Sequence, residues 1–253
     1  MMKIISSVKL SCENERIRSL ELFIKFKKIK MLETVRNEVE KLLWKDKTWH
    51  AMDHIQRVES LALKFSEMEK GDSEFVSLIA LLHDVDDYKL VGEEASQKMQ
   101  NTQKILQVLE ISDEKKELLL SEIASIGYSK SLKGVFPKTL EGKIVSDADR
   151  CDAMGVMGIL RTYQYSIIHD QPFFDKNIPP TTYQNAQEYR NNKRNTAVNH
   201  IFEKLLKLRQ GMFTEEGKKE AEIRHQWMMD FLKEFFRENE IIDWEKWYPF
   251  DEK

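Results

Sequence analysis

Residues 75–83 read FVSLIALLH, eight uncharged residues closed by a histidine, and Asp84, Val85, Asp86 and Asp87 follow at once. A helix so uniformly apolar is buried on most of its sides, so this stretch must form the centre of a core. Around it apolar residues recur at helical spacing: Val35, Val39 and Leu42, then Val58, Leu61, Phe65 and Met68. With 9 Gly and 5 Pro in 253 residues, these two residue types have roughly half their average share. Collagen-like, linker-like and turn-dense all-β chains are thereby excluded. At 41% hydrophobic and 33% charged residues, the composition suits amphipathic helices rather than a disordered tail. The expected fold class is all-α, a single globular helical bundle with a C-terminal helical extension.

Helical patterns continue over residues 95–109, 113–126 and 139–165, with a loop at 129–139 marked by Gly134 and Pro137. Residues 170–195 hold three of the five prolines and are the longest irregular segment, the kind of loop that is usually functional or disordered. Two amphipathic helices follow, over 198–212 and 214–239. Thr214 lacks a capping-box partner at Gly217, but Glu215 and Glu216 suit the positive end of a helix dipole. Residues 1–30 carry a net charge of +5 and the rest −8. They read either as a basic amphipathic arm, with Ile17, Leu20 and Ile24 on one face, or as a dispensable leader to a working start at Met31. Glu13, Glu15 and Glu21 argue against a transit peptide. The expected division is an accessory arm at 1–30, a main domain at 31–240 and a tail at 241–253.

A net charge of −3 and a pI of about 6.1 lack the basic excess of many nucleic-acid binders, so no nucleic-acid polymer is expected as partner. Cys12 and Cys151 cannot make a disulfide framework. No apolar stretch approaches the ~18 residues of a membrane span. A cytoplasmic protein without a membrane partner is the expectation.

Three features carry chemistry. His50 and His54 are spaced i, i+4 and share a helix face. His83 and Asp84 end the apolar helix, where a charge is costly unless paired or bound to a cation. Asp147 and Asp149 sit in an otherwise apolar helical run beside Arg150. Two imidazoles and two carboxylates offer a mixed nitrogen and oxygen site for Mn, Fe, Ni or Zn rather than calcium.

The series His50-x-x-x-His54-x-x-Arg57-Val58, Ala80-Leu81-Leu82-His83-Asp84 and Asp147-Ala148-Asp149-Arg150 resembles the HD-domain metal-dependent phosphohydrolases, most closely their small bacterial single-domain branch. Stretches 141–145, 155–162 and 199–208 are similar to that branch as well. The resemblance covers about residues 31–240 and implies an HD-domain helical bundle. It also implies that His54, His83, Asp84 and Asp149 bind one divalent ion (Mn, Mg, Co, Ni or Fe). His54 is chosen because it stands before the x-x-Arg-Val step, and Asp149 because it immediately precedes the Arg. Cys151, where relatives usually carry Leu, reads as a buried packing substitution.

Such an ion leaves positions for water and a phosphate oxygen. Asp87, His50 and Glu141 are candidates for the base, Asp87 first by likeness to related enzymes. Lys143, Arg161, Lys204 and Lys207 are candidates for holding phosphate, with Lys89 a further cation. Tyr183 and Tyr189 could stack on a base, and Arg190, Lys193 and Arg194 make the long loop a candidate lid. The expected substrate is a small phosphorylated molecule, a nucleotide, with a nucleoside triphosphate cleaved to monophosphate and pyrophosphate. Alternatives are a phosphomonoesterase, a cyclic-nucleotide phosphodiesterase, a diiron oxygenase drawing on His50, His200 or His225, and a non-catalytic nucleotide sensor. A homodimer is compatible with all of these.

Overall fold

The computed structural model describes residues 2–44, 52–181 and 196–247, with side chains left out at 2–17 and at 89. All regular elements among the described residues are helical. In order they are α1 (Met2–Leu43), α2 (Met52–Glu69), α3 (Ser73–Leu82), α4 (Tyr88–Val91), α5 (Glu93–Lys98), α6 (Gln100–Gln107), α7 (Asp113–Ser125), α8 (Tyr128–Ser131), α9 (Leu140–Asp152) and α10 (Gly155–Ile168). The last stretch holds α11 (Ala197–Glu203), a 3₁₀ segment (Leu205–Gly211), α12 (Glu215–Glu238) and a final 3₁₀ turn (Trp244–Trp247). The all-α expectation holds.

The apolar run becomes α3, and every residue from Phe75 to Leu82 is buried, none more than 5% exposed. Asp72 starts this helix by accepting from the Glu74 and Phe75 N–H groups. Helices α2, α3 and α9 pack on one another in all three pairings, so their facing ends are held at fixed separation. Helix α1 lies against α3, with Val35, Val39 and Leu43 buried in the core. Leu42, read from the sequence as the third core position, is 44% exposed. The buried stripe therefore runs i, i+4, i+8.

Three single helices of the sequence reading are broken in the structure, the one expected over 198–212 dividing at Lys204 into α11 and the 3₁₀ segment. Residues 95–109 divide at Met99, whose φ of 47° ends α5 and begins α6. Residues 139–165 divide between α9 and α10 at Gly155, with φ 65°. A Cβ there would meet the Arg224 side chain at 3.2 Å, so glycine serves both the turn and the close approach of α12. Thr214 does cap α12, its hydroxyl accepting from the Gly217 N–H. At the far end Phe236 stacks on Trp244 at 5.0 Å, so the start of the expected tail packs on the body. No described helix is long and apolar enough to cross a membrane.

Candidate metal centre

Helix α2 brings His54 to the centre, the C-terminal end of α3 brings His83 and Asp84, and α9 brings Asp149. His54 Nε2 lies 3.4 Å from Asp84 Oδ2 and 3.6 Å from Asp149 Oδ1. His83 Nε2 lies 3.8 Å from both of the same oxygens. One atom each from His54, His83 and Asp149 all fall within 4.8 Å of one another. These separations are longer than an N–H···O hydrogen bond of about 2.9 Å. They fall between the adjacent (about 3.0 Å) and opposite (about 4.2 Å) spacings of ligands that lie about 2.1 Å from one ion.

Both imidazoles are oriented by what lies behind them. His83 Nδ1–H donates to the Ala80 carbonyl at 2.8 Å, and its Nε2 is buried with no hydrogen-bond partner. An orphaned buried nitrogen aimed at two carboxylates is what a cation fits. His54 Nδ1–H donates to Asp152 Oδ2 at 2.7 Å. Asp152 also accepts from Arg57 Nε at 2.7 Å and Arg161 Nη1 at 2.9 Å. Burial alone would push the Asp152 carboxyl up, but the His54 and Arg57 bonds hold it far below the usual carboxylate range. For His54, burial lowers the pKa; the Asp152 bond and the charges of Asp84 and Asp149 outweigh it and raise the imidazole to about 9. Negative charge is thus in excess here, and a divalent ion would take the place of that proton.

Of the two candidate aspartates on α9, Asp149 faces the histidines. Asp147 is fully buried elsewhere and accepts from the Phe213 and Thr214 N–H groups and the Thr214 hydroxyl at 2.7–3.0 Å. Asp87 sits in the turn after Asp84, its N–H donating to the Asp84 carbonyl at 3.0 Å. Glu141 is not gathered: its carboxylate accepts from the Asp72 N–H at 3.0 Å, about 12 Å along α9 from Asp149. Lys143 is half-buried on the same helix. Arg161 is committed to Asp152, so it braces the centre from behind. Lys204 Nζ lies 5.2 Å over the Tyr128 ring, and Lys207 lines a cleft with Tyr128 and Arg150. Neither His200 nor His225 belongs to the cluster found among the described residues. Burial pushes the Cys151 thiol up to about 12, which makes it inert packing. His50, Tyr183, Tyr189, Arg190, Lys193 and Arg194 lie outside the described residues, as does the Lys89 side chain.

Asp152 was missed in the sequence reading. Its signal was there: Arg57 follows His54, and Asp152 follows Asp149, at the same i, i+3 spacing on two helices that pack together.

The HD domain family model matches residues 51–154, a span holding all four clustered residues. A crystal structure from Lactobacillus plantarum is 30% identical, with 84% of this chain and 98% of that one covered and a TM-score of 0.72. An HD-superfamily hydrolase from Bacillus thuringiensis is 33% identical, covering 85% of this chain and all of the other, with a TM-score of 0.66. The uncharacterised YpgQ protein of Bacillus subtilis is 28% identical over 218 residues, 86% of this chain and 98% of that protein. A YpgQ structure in complex with ADP is 26% identical, covering 84% of this chain and 96% of the other, with a TM-score of 0.64. With its His-Asp pair, its helical bundle and full-length relatives at this level of identity, the chain belongs to the HD domain family.

Proposed function

We propose that the protein is a divalent-metal-dependent phosphohydrolase of nucleotides, cleaving a nucleoside triphosphate to monophosphate and pyrophosphate. The observation that carries the reading is the convergence of His54, His83, Asp84 and Asp149, with the buried Nε2 of His83 lacking a hydrogen-bond partner. Nucleotide as substrate class is supported by the ADP held by the YpgQ relative.

A bound ion polarises phosphoryl oxygens and brings the pKa of water from 15.7 toward about 7. The chain's own groups do the rest. Asp152 fixes His54 so that Nδ1 keeps its proton and Nε2 presents a lone pair. Asp87 is our choice for the group that takes the proton of the attacking water as the bond to the leaving pyrophosphate breaks. Lys204 and Lys207 are assigned the phosphate charge.

A release screen over nucleotides with Mg²⁺, Mn²⁺, Co²⁺ and Ni²⁺ tests the reading. Pyrophosphate from a triphosphate, abolished by EDTA, is the expected result. Inorganic phosphate from a monophosphate would replace it with a phosphomonoesterase, and no release with any metal would overturn it.

A further inference from the structure

Helix α10 carries a single charged residue, Arg161, and that guanidinium turns inward to Asp152 at 2.9 Å. The buried positions of the helix are small or hydroxylic: Gly155, Gly158, Thr162 and Ser166. Its outer face is the apolar one. Val156, Leu160, Tyr163 and Ile167 are 47–62% exposed and follow one another at i, i+4, i+7 and i+11, the spacing of a seam that packs against a second helix. A surface helix of a globular protein ordinarily turns such a stripe to the core and its polar residues to water. Helix α10 does the reverse.

The patch continues onto α12. Gly155 sits against Arg224, where a Cβ would meet the arginine side chain at 3.2 Å. Ile223 and Trp227, beside Arg224 on that helix, are 57% and 60% exposed. Together the six side chains present on the order of 600 Å² of surface, the top of the about 300–600 Å² range for the largest apolar patch on a monomer and most of the about 800 Å² that each partner gives to a standard interface. Tryptophan is among the side chains most enriched as anchors of such interfaces.

What covers the patch must match its lack of charge. Residues 182–195 offer only Tyr183, Ala186 and Tyr189 as apolar side chains. The exposed apolar residues of α1 are interleaved with Lys25, Lys27 and Lys30, which find no acid in the stripe. The same patch on a second copy does match. About a two-fold axis the α10 seams of two chains meet with no like charges apposed, whereas a stripe of one charge sign would repel its own image.

We infer that the face shared by α10 and α12 is a homodimer interface, with the 156–167 seam at its centre and Trp227 as the flanking anchor. It depends on neither the metal centre nor the phosphohydrolase reading. Sedimentation velocity of the full chain at micromolar concentration tests it. The wild type is expected to run as a dimer, twice the 30.0 kDa chain. Leu160→Glu and Trp227→Glu, each checked for fold by circular dichroism, should raise the dimer dissociation constant at least tenfold, because each would bury a carboxylate against apolar surface. Ile242→Glu, at an exposed isoleucine beyond the C-terminal end of α12, and deletion of residues 1–30 should leave that constant within twofold. Trp227→Glu decides the matter if Leu160→Glu fails to fold. A monomeric wild type, wild-type affinity in a folded patch variant, or a dimer lost with residues 1–30 or in Ile242→Glu overturns the interface.

Discussion

Asp152 holds three side chains from two other helices while staying behind the centre, and this makes it the most informative single residue. Its carboxylate fixes the tautomer of His54 and neutralises Arg57 and Arg161. Asp152→Asn keeps an acceptor but removes the charge, and divalent-metal affinity is expected to fall about 10–100-fold, measured by titration with Mn²⁺. The same environment sets a pH dependence. In the metal-free protein His54 is raised from 6.5 to about 9, so its share of folding stability is fully present below pH 6.5 and is lost as pH rises through about 9. Metal binding must displace that proton, so apparent affinity is expected to climb by up to tenfold per unit from pH 6.5 and level off near pH 9. Affinity that is flat over this range would show that His54 keeps no proton to displace. The sequence already singled out His83 and Asp84, because a polar pair ending a wholly apolar helix needs a reason. It left Asp147 against Asp149 open from residue type alone, since that choice depends on α12 arriving to take Asp147, a contact 66 residues away.

At the scale of elements, α9 packs on α2 and α3 and carries Asp149 to the histidines, and α10 then runs back along α12. Gly155 makes that corner at φ 65°, against Arg224. Gly155→Ala is expected to cost about 1–3 kcal/mol from backbone strain and contact together. At about 2–4 °C per kcal/mol for a chain of this size, the melting temperature should drop by several degrees, read by circular dichroism. An unchanged melting temperature would mean the corner tolerates a side chain. Helix existence was legible from periodicity nearly throughout. The breaks at Met99 and Gly155 were not, because each interrupts a continuous amphipathic pattern, and at Gly155 the close approach of Arg224 is a tertiary feature that propensity does not encode.

Across the whole molecule, the consecutive helices α2 and α3 meet the distant α9 at one centre, and the described part of the basic arm takes little part in that meeting. Leu20, Phe23, Phe26 and Ile29 of α1 are all exposed, and Lys28 reaches Glu74 at 2.9 Å while Lys115 holds the same carboxylate at 2.6 Å. Deleting residues 1–30 leaves Val35, Val39 and Leu43 in place. It should lower stability by no more than about 1 kcal/mol, the scale of an exposed ion pair, and leave turnover within twofold in the release assay. The measurement that bears most directly on the account is metal content per chain after loading with Mn²⁺ and desalting. The wild type should hold one ion, and folded His83→Ala and Asp149→Ala variants should hold almost none; an ion retained by both variants, or absent from the wild type, would contradict it.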